Sequence, residues 1–488
     1  GVTTQVDLSS SGVPADQPSH DPFLSADGRF VAFSSKALNL VPGKTQVRED
    51  IFWRDLQLGV TRHLSLGLLG AIANDQSLWP AISADGQVVT FTSDATNLVL
   101  GDTNGMADIF VYDMTTQRLT RASVSSAGEE GNAGSWFSAI SGDGRFVAFS
   151  SWASNLAAND TNGDWDVFVH DRSTGQTTLI SRDLAGGTSI GPSWIDDISR
   201  DGRFVSFESM SANLVPGDTN GVWDAFLHDR TLGTTVRISV DPQGKQLVRE
   251  SYGGPLSADG AWMLITSLSG SLVPGDTNGA YDAFRVEVTT GVMERISVDS
   301  SGAQSVYSGG AFAADLSSDG RIATFTGASF TLPPQTSGVF VRACPQSTAR
   351  FGEAKPNSAG CRPWISWSGI PSATAGSGFV IRSQAQLNQK PGLFFYGYAP
   401  HPFGPIIPYL SVLPPLRRLP PSQSGGSSSG TDCTGGFRVD FNAWIAGGSD
   451  PGLVAGTTVY GQFWSRDPGY PAPGNYSLTD AVDLTIQP

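Results

Sequence analysis

The sequence predicts an all-β protein, in which a six-bladed β-propeller closed by the N-terminal strand precedes a C-terminal antiparallel β-sandwich. One phrase built around an Asp-Gly pair recurs at a nearly constant spacing, and short apolar runs separated by turn residues fill each repeat. The pairs begin at Asp27, Asp85, Asp143, Asp201, Asp259 and Asp319. Strand-like units with such a period indicate a radial or stacked repeat rather than one continuous sheet.

Each repeat contains four predicted strands. In the fullest copy, residues 135–181, these are Phe137–Ser141, Arg145–Ser150, Asp166–Asp171 and Gln176–Ser181. The Asp-Gly pair separates the first two strands, because it favours a two-residue hairpin turn with positive φ. A polar loop precedes the third strand, and a tight Ser-Thr-Gly turn follows it. Four antiparallel strands in each repeat are what a propeller blade requires.

The two ends of the repeat region predict a closed ring. The sixth repeat ends its third strand at Phe340–Arg342 and has no fourth. Thr4–Asp7 lies as far before Asp27 as Ser123 lies before Asp143, so it has the position of a fourth strand. Closure by this strand would also remove exposed sheet edges. We therefore expect one propeller domain over residues 1–342.

The repeats resemble those of TolB-like propellers. The resemblance rests on the Ser-x-Asp-Gly turn of Ser25-Ala26-Asp27-Gly28 and on the apolar strand Arg29–Phe33 that follows it. It covers residues 1–342 and implies the propeller fold. For many relatives it also implies a role in binding proteins or glycans at the cell envelope, but it implies no reaction.

The loop between strands two and three carries the most specific chemistry in the sequence. Four repeats place Asp, Asn and Asp at relative positions 1, 3 and 7, with a Gly that permits a tight bend. Oxygen donors at this spacing suit Ca²⁺, which takes about six to eight oxygen ligands. We therefore predict about four calcium ions, one in each of blades two to five. The predicted ligands are Asp102, Asn104 and Asp108; Asp160, Asn162 and Asp166; Asp218, Asn220 and Asp224; and Asp276, Asn278 and Asp282.

These loops have a second interpretation, in which Asp and Asn accept hydrogen bonds from their own backbone in Asx-turns. Blade one has Lys44 and Gln46 before Asp50, so an ammonium group could replace the cation there. Blade six has Pro334–Gly338, which should bind nothing.

An aromatic residue precedes the second Asp of the loop in three blades. It could stack on sugar rings, but packing across the blade boundary is the expected role. These residues are Trp165, Trp223 and Tyr281, with Ala107 in blade two.

The composition favours an exported protein. A net charge of −15 argues against nucleic-acid binding, which needs basic patches. No apolar run reaches the length of a membrane-spanning helix. The chain begins at Gly1 without a signal peptide, as a processed secreted protein would. Together with the calcium loops and the scarcity of Lys, this predicts a secreted or cell-surface location.

Three cysteines follow the repeats. Their spacing favours one disulfide and one free thiol over a zinc site, which would need closer pairs. Cys344–Cys361 is the preferred disulfide, which leaves Cys433 free, and Cys361–Cys433 is the alternative.

Residues 343–488 form the second predicted domain. The Asp-Gly period ends there, and Pro/Gly/Ser-rich stretches separate strand-like runs. These runs are Gly392–Gly397, Phe437–Trp444, Thr457–Ser465 and Ser477–Ile486. Short strands with long loops predict an antiparallel β-sandwich.

This second region is similar to a C-terminal β-domain of large secreted bacterial proteins. The residues that carry the likeness are Asn357-Ser358-x-Gly360-Cys361, Gly392–Gly397, Gln462–Pro468 and Ser477–Asp480. Relatives usually have a Cys where this chain has Ser411, so the resemblance leaves Cys433 without that partner. It implies an extracellular location and no activity.

No catalytic site is predicted. Two Gly-x-Ser-x-Gly strings, Gly187–Gly191 and Gly426–Gly430, lack the preceding strand and following helix of a nucleophile elbow. His170 and His228 occupy the same place in strand three of their repeats, which indicates repeat structure rather than catalysis. Paired acidic residues keep a glycosidase or lyase open as an alternative.

The predicted function is a secreted or cell-surface, calcium-stabilised propeller that acts as a non-catalytic binding or structural protein. It would belong to the extracellular matrix, the envelope or a filament. A glycan-binding adhesion module is one alternative, and a propeller glycosidase or lyase is another. The expected partners are copies of the chain itself, as in a homopolymer, or a surface polysaccharide or protein. We expect no nucleic-acid partner and no membrane insertion.

Overall fold

The computed structural model describes residues 3–299, 302–304, 310–328, 337–344, 348–351, 364–368, 371–386, 389–398, 416–425, 435–467 and 476–486. The chain divides into two compact units, Gly1–Cys344 and Pro345–Pro488. The sequence placed this boundary between residues 342 and 343. Among the described residues, no helix has the length and apolar character needed to cross a bilayer.

Six antiparallel sheets follow one another along the first unit. Blade one contains β1 (Ser19–Leu24), β2 (Phe30–Ser35), β3 (Asp50–Asp55) and β4 (Val60–His63). Blade two contains β5 (Ser77–Ile82), β6 (Val88–Ser93), β7 (Asp108–Asp113) and β8 (Arg118–Arg121). Blade three contains β9 (Ser135–Ile140), β10 (Phe146–Ser151), β11 (Asp166–Asp171) and β12 (Gln176–Leu179). A single 3₁₀ turn, Leu68–Gly70, lies between the first two blades.

The remaining sheets continue the same order. Blade four contains β13 (Ser193–Ile198), β14 (Phe204–Ser209), β15 (Asp224–Asp229) and β16 (Thr234–Arg237). Blade five contains β17 (Ser251–Tyr252), β18 (Trp262–Ser267), β19 (Asp282–Glu287) and β20 (Met293–Arg295). Blade six has three described strands, β21 (Ala311–Leu316), β22 (Ile322–Ala328) and β23 (Ser337–Ala343).

The all-β prediction is confirmed, and so is the division of a repeat into four strands. In the first five blades each strand pairs with the next along the chain. In blade three the predicted Asp166–Asp171 strand agrees at both ends, and the other strands differ by at most two residues at either end. The strands form because β-branched and aromatic residues alternate with turn residues that hold positive φ.

Neighbouring blades are joined at their Asp-Gly turns. The residue before each turn donates its backbone N–H to the carbonyl of the matching residue in the next blade. These hydrogen bonds are Ala26 to Ala84 (3.0 Å), Ala84 to Gly142 (2.9 Å), Gly142 to Arg200 (2.8 Å), Arg200 to Ala258 (3.0 Å) and Ala258 to Ser318 (2.9 Å). One backbone hydrogen bond therefore links every consecutive pair of blades in the same register.

The glycine of the turn also allows close packing between blades. Gly202 has a φ of +71°, and a Cβ at this position would overlap the ring of Phe146 in the preceding blade. Gly144 has a φ of +70°, and a Cβ there would lie 2.6 Å from Val88 Cγ2. The Asp-Gly pair thus has two roles. It forms a hairpin turn, and its glycine leaves room for the first apolar residue in the second strand of the preceding blade.

The predicted six-bladed ring and its closure are not confirmed. Gly28, the first glycine of the series, has no atom within 4 Å of the position of a Cβ. Ile322, the matching apolar residue of blade six, is 49% exposed. Among the described residues, the segment from Thr3 to Asp7 does not pair with β23. The contacts that join blades one to six in series therefore have no counterpart between blade six and blade one in the described part of the chain.

The second unit contains two antiparallel sheets that share one core. The larger sheet has β24 (Thr348–Phe351), β27 (Pro391–Gly397), β28 (Arg417–Arg418), β29 (Ser422–Gln423), β31 (Thr458–Arg466) and β32 (Tyr476–Thr485). The smaller has β25 (Trp364–Ser368), β26 (Val380–Gln386) and β30 (Gly435–Asp440). Residues of both sheets, including Ile381, Phe437, Phe394, Phe463 and Val482, form one buried cluster.

One predicted strand of this unit was wrong in its second half. Phe437–Trp444 was expected to be extended, but the strand ends at Asp440 and a short helix, α1, spans Phe441–Ala446. The Asp440 carboxylate accepts a hydrogen bond from the Ala443 backbone N–H and so caps this helix. The sequence also missed β24, β25 and β26, which lie in or beside Pro/Ser/Gly-rich stretches.

The preferred disulfide is not found. Cys344 is buried and carries a free thiol, whose Sγ lies 3.8 Å from the Arg342 carbonyl oxygen. Cys361 and Cys433 lie outside the described residues, so the alternative pairing stays a prediction.

Candidate functional site

In blade two an arginine lies between the predicted metal ligands. Arg121 Nη1 is 3.0 Å from Asp108 Oδ2, 3.8 Å from Asp102 Oδ1 and 2.8 Å from Glu130 Oε1. Oxygens of these three carboxyls lie within 4.8 Å of one another. Asn104 donates from Nδ2 to Asp108 Oδ2 at 3.2 Å instead of presenting its oxygen to the cluster. A guanidinium therefore supplies positive charge to the carboxyls that are predicted to bind calcium in this blade, and the calcium ion itself stays a prediction.

Blades four and five repeat this arrangement. In blade four, Arg237 Nη1 lies 3.2 Å from Asp218 Oδ1 and 3.5 Å from Asp224 Oδ2. The contacts in blade five are those of Arg295 Nη1 with Asp276 Oδ1 (3.2 Å) and with Asp282 Oδ2 (3.8 Å). Asn220 and Asn278 donate to the second Asp, as Asn104 does.

Blade one uses a lysine for the same purpose, as the sequence suggested. Lys44 Nζ lies 2.5 Å from Asp50 Oδ2, and both side chains are fully buried. In blade six, Pro334–Thr336 lies outside the described residues.

Blade three differs, because Leu179 occupies the position of the arginine. Asp160 and Asp166 are both buried, and no cationic side chain of the described chain forms an ion pair with either of them. Asp160 Oδ1 is buried without a hydrogen-bond partner. Burial, and then the neighbouring Asp166, raises the pKa of Asp160 to about 7, and burial raises the pKa of Asp166 to about 6. Of the four predicted calcium loops, this one keeps an unneutralised pair of carboxyls.

Aromatic side chains form a continuous surface over blades two to four. We call this surface the aromatic row, and it consists of Trp79, Trp136, Phe137, Trp152, Trp165 and Trp194. Trp165 stacks on Trp194 of the next blade, with ring centroids 4.4 Å apart. Trp79 and Phe137 make a second contact between blades, at 4.7 Å. The rings thus pack across blade boundaries, yet Trp136, Phe137 and Trp152 remain 38%, 38% and 53% exposed.

Bulges in the first strands bring these rings to the surface. Trp79 and Phe137 have φ values of +49° and +50°, which bulky residues rarely adopt. Such strain costs about 1–3 kcal/mol and is concentrated at functional sites. The equivalent strand of blade four, β13, has its register shift between Ile195 and Asp197, so Asp196 is the extra residue. A bulge of this kind redirects a side chain.

The aromatic row ends at a pocket. Its volume is about 420 Å³, and its lining comes from three blades. The lining residues are Phe137, Trp194, Ile195, Glu208, Trp223 and Tyr252. Trp194 and Glu208 lie directly opposite each other on β13 and β14. Concave sites with mostly aromatic walls and a few polar groups are typical of ligand-binding pockets.

Glu208, in the lining of this pocket, and the neighbouring Asp196 both have a carboxyl group with a raised pKa. Burial raises the pKa of Glu208 to about 7. Burial and the nearby Glu208 and Asp197 carboxylates raise the pKa of Asp196 well above its ordinary value. Asp196 Oδ2 is buried and has no hydrogen-bond partner. The two acids titrate as a pair that retains a proton near neutral pH.

Sequence reasoning missed both acids, although the repeat register contained a signal. Glu208 lies in β14 at a position where the other five blades have a hydroxyl residue. These residues are Ser34, Thr92, Ser150, Thr266 and Thr326. Blade four therefore breaks the repeat by adding an acid, whereas blades one and six break it by losing loop ligands.

The two histidines of the third strands and the serine of the first Gly-x-Ser-x-Gly string have structural roles in the repeats. His170 and His228 are buried, and each Nδ1 lies 2.9 Å from a threonine hydroxyl of the next strand. Burial lowers the pKa of both and brings that of His228 to about 4. Ser189, in the first Gly-x-Ser-x-Gly string, donates from Oγ to Asp166 Oδ1 at 3.0 Å. Gly426–Gly430 lies outside the described residues.

Comparison with known proteins supports the TolB-like propeller fold. No protein-family model and no curated protein matches the chain. Among solved structures, TolB from Agrobacterium tumefaciens is 16% identical, with a TM-score of 0.36 over 68% of this chain and 91% of that one. TolB from Acinetobacter baumannii is also 16% identical, with a TM-score of 0.34 over 66% and 68%. The similarity to the C-terminal domain of secreted bacterial proteins stays a prediction.

The same comparison contradicts the predicted non-catalytic function. An acylaminoacyl peptidase from Pyrococcus horikoshii is 10% identical, with a TM-score of 0.39 over 92% of this chain and 57% of that one. Further peptidases also match. Because proteins of this fold include enzymes as well as TolB, the assignment as a non-catalytic binding or structural protein was wrong. The predicted calcium ions are not tested by this comparison and stay a prediction. Such distant likeness is one of fold alone, so any reaction must be argued from this chain's own residues.

Proposed function

We propose that the chain is an enzyme that cleaves a neutral polysaccharide by acid–base chemistry at the pocket between blades three and five. The observation that carries this proposal is Glu208 in the lining of an aromatic-walled pocket, with the buried carboxyl group of Asp196 beside it. Both acids depart from the repeat, so neither is needed to build a blade.

The aromatic walls suit a substrate made of rings. The C–H faces of a sugar ring pack on the flat faces of Trp and Tyr, whose bodies are apolar. The aromatic row continues from the pocket across two further blades, so several successive rings of one chain could bind along it. A small isolated ligand would use the pocket and leave the row without a role.

The acid pair suits cleavage of a glycosidic bond. Asp196, whose pKa is raised by burial and by the neighbouring Glu208, would donate its proton to the leaving glycosidic oxygen as the C–O bond breaks. Glu208, when ionised, would take a proton from the attacking water. Two carboxyl groups in these roles are the usual means of glycoside hydrolysis, and acids whose pKa values lie near the working pH transfer protons best.

The charge of the site restricts the substrate further. An ionised Glu208 and the nearby Asp197 and Asp315 would repel a polymer of uronic acids. A neutral or amino-sugar polysaccharide meets no such repulsion. An extracellular location agrees with such a substrate and stays a proposal, as do contacts with surface polysaccharide.

The test combines binding and cleavage. Purified protein would be mixed with a panel of neutral glucans, xylan, mannan and chitosan, with tryptophan fluorescence reporting binding and new reducing ends reporting cleavage. We expect at least one polymer to quench the fluorescence and to be cut. Binding without cleavage by any polymer, or no binding at all, would overturn the proposal.

Matched variants separate the acids from the fold. Glu208→Ser restores the residue that β10 has at this position, and Asp196→Asn keeps the shape of the side chain. Each should lower cleavage at least about 100-fold and leave binding within about threefold. The exposed Glu129→Gln is the control and should leave both readouts unchanged. Equal cleavage by wild type and Glu208→Ser would contradict the assigned role.

We also infer that the propeller closes, with the strand at Thr4–Asp7 completing blade six. Val339 and Val341 on β23 are 74% and 70% exposed, as residues of an unpaired strand would be. The bridge between Leu8 and Pro14 matches those that follow the fourth strands of later blades, such as Leu66 with Ile72. The segment before Leu8 therefore has the place of a fourth strand.

A cysteine pair tests closure. Gly28→Cys with Ile322→Cys should cross-link within one chain under mild oxidation, because a closed ring repeats the contact of Gly202 with Phe146. Gel filtration would report whether a cross-link joins one chain or two. A disulfide only between two chains would instead indicate a polymer, and no disulfide in either form would contradict closure.

A further inference from the structure

We propose that the chain binds one divalent cation, Ca²⁺, in the loop of blade three, and that arginines replace the cation in blades two, four and five. This inference is independent of the proposed enzyme activity. It concerns Asp160 and Asp166, with Leu179 as the residue that decides between an internal and an external cation.

The strand register places Leu179 where blades two, four and five have their guanidinium groups. Leu179 lies opposite Phe168 on β11. Arg121, Arg237 and Arg295 lie opposite Phe110, Phe226 and Phe284 in the same way. In those three blades, both loop carboxylates approach a single Nη1 atom. The same backbone register therefore brings Asp160 and Asp166 around one point, and no side-chain cation of the described residues reaches it.

The second observation is a buried carboxylate oxygen without a hydrogen-bond partner. Asp160 is only 6% exposed, and its Oδ1 is buried without a hydrogen-bond partner. A buried carboxylate without a counter-charge is costly unless a cation binds it. By contrast, Asp218 and Asp276 each have an arginine nitrogen 3.2 Å away.

Blade three also has an acidic residue that the loops of blades two, four and five lack. Asp164 stands where blades two, four and five have Met106, Val222 and Ala280. It completes a D-x-N-x-D-x-D sequence from Asp160 to Asp166, which is closer to a calcium loop than the shared motif. Ser189 adds a hydroxyl, whose Oγ lies 3.0 Å from Asp166 Oδ1. Hard oxygen donors of this kind select Ca²⁺ over softer metals.

The experiment counts ions on the full chain. Isothermal titration with Ca²⁺ after chelator treatment should give one site. Terbium should bind there too, with luminescence excited through tryptophan, because Trp152 Nε1 donates to the Gly163 carbonyl of the loop at 2.6 Å. No site, or several equivalent sites, would overturn the proposal.

Two variants make the test specific. Leu179→Arg introduces the side chain that blades two, four and five have at this position. It should abolish Ca²⁺ binding, and the melting temperature of the variant should no longer respond to chelator. Asp160→Asn should abolish binding without adding bulk, which keeps the test valid if the arginine disturbs folding. Asp218→Ala in blade four is the control and should still bind one ion. Unchanged binding by both blade-three variants would refute the site.

Discussion

Arg121 and Leu179 occupy the same place in consecutive blades. Arg121 places a guanidinium between three carboxyls, whereas beside Leu179 two carboxyls have no counter-charge from the described residues. The repeat thus conserves the acidic loop and varies the source of positive charge. Lys44 solves the same problem in blade one from a different position on the loop.

The first prediction concerns that internal charge. Arg121→Leu removes the cation from Asp102, Asp108 and Glu130 while the backbone is retained. Because it leaves buried charge uncompensated, the free energy of unfolding should fall by about 3–5 kcal/mol at pH 7. Urea unfolding followed by tryptophan fluorescence measures this loss.

Arg145→Leu is the matched control for that experiment. Arg145 pairs with Asp171, but its side chain is 44% exposed, so water can replace the lost partner. Its loss of stability should be clearly smaller. Equal losses for the two variants would contradict the importance of burial.

The second prediction concerns the contact between blades. Gly202→Ala places a Cβ against the Phe146 ring and also forces alanine into a left-handed φ. Together these effects should lower the free energy of unfolding by about 2–6 kcal/mol. Gly105→Ala is the control, since Gly105 has a φ of +65° with no atom within 4 Å of a Cβ.

The control should lose only about 1–2 kcal/mol from the backbone strain. Denaturant unfolding of both variants measures the difference. If Gly105→Ala were as destabilising as Gly202→Ala, the close approach between blades would add nothing to the free-energy cost of placing alanine at a positive φ.

The third prediction concerns pH. The pKa of Glu208 in the folded chain, about 7, is above its ordinary value, so the folded state holds the proton more tightly than the unfolded state. Its contribution to stability is present below the ordinary pKa and is lost as pH rises through about 7. Groups that face it are Asp196 on the same sheet and the Gly253 backbone N–H, with Asp197 and Asp315 beside them.

Glu208→Gln removes this titration. The free energy of unfolding of the variant, minus that of the wild type, should therefore increase from pH 5 to pH 8. Urea titrations at both pH values measure it. A difference that is constant or shrinks with rising pH would show that Glu208 ionises freely.

The fourth prediction concerns the second unit. Tyr396 and Tyr398 both donate from their hydroxyls to Asp450 Oδ2, at 2.8 Å in each case. Tyr396 is fully buried and Tyr398 is 39% exposed. Tyr396→Phe should cost about 1–3 kcal/mol because it leaves a buried acceptor short of a donor.

Tyr398→Phe should cost less, since water can reach that side of the carboxylate. Thermal unfolding followed by near-ultraviolet circular dichroism compares the two variants. The assigned network would be wrong if the exposed tyrosine proved the more important one.

The strands of the repeats could be predicted from the sequence because turn residues and alternation are local signals. Asp166–Asp171 is the clearest example. The arginine that pairs with the acidic loop could not be predicted in the same way. Arg121 lies on another strand, and its approach to Asp108 depends on the register between the strands. Leu179 and Glu208 could not be recognised from the features common to the repeats, because each matters through its difference from the other copies.

The second unit shows the opposite case. Val380–Gln386 and Trp364–Ser368 lie next to stretches rich in Pro, Gly and Ser, and no repeated copy helps to recognise them as strands. Helix α1 was missed because an apolar run of six residues has no clear period, and only the Asp440 cap distinguishes it from an extension of β30.

The contact between each turn glycine and the preceding blade has a consequence for the ancestry of the chain. Loss of residues 87–144 would join Gly86 to Arg145 and remove one whole repeat. Phe30 would still meet Gly86, and Phe146 would still meet Gly202. Recombination between copies within the gene could therefore lengthen or shorten the array without creating a mismatched junction. No single interface between two blades fixes the number of blades.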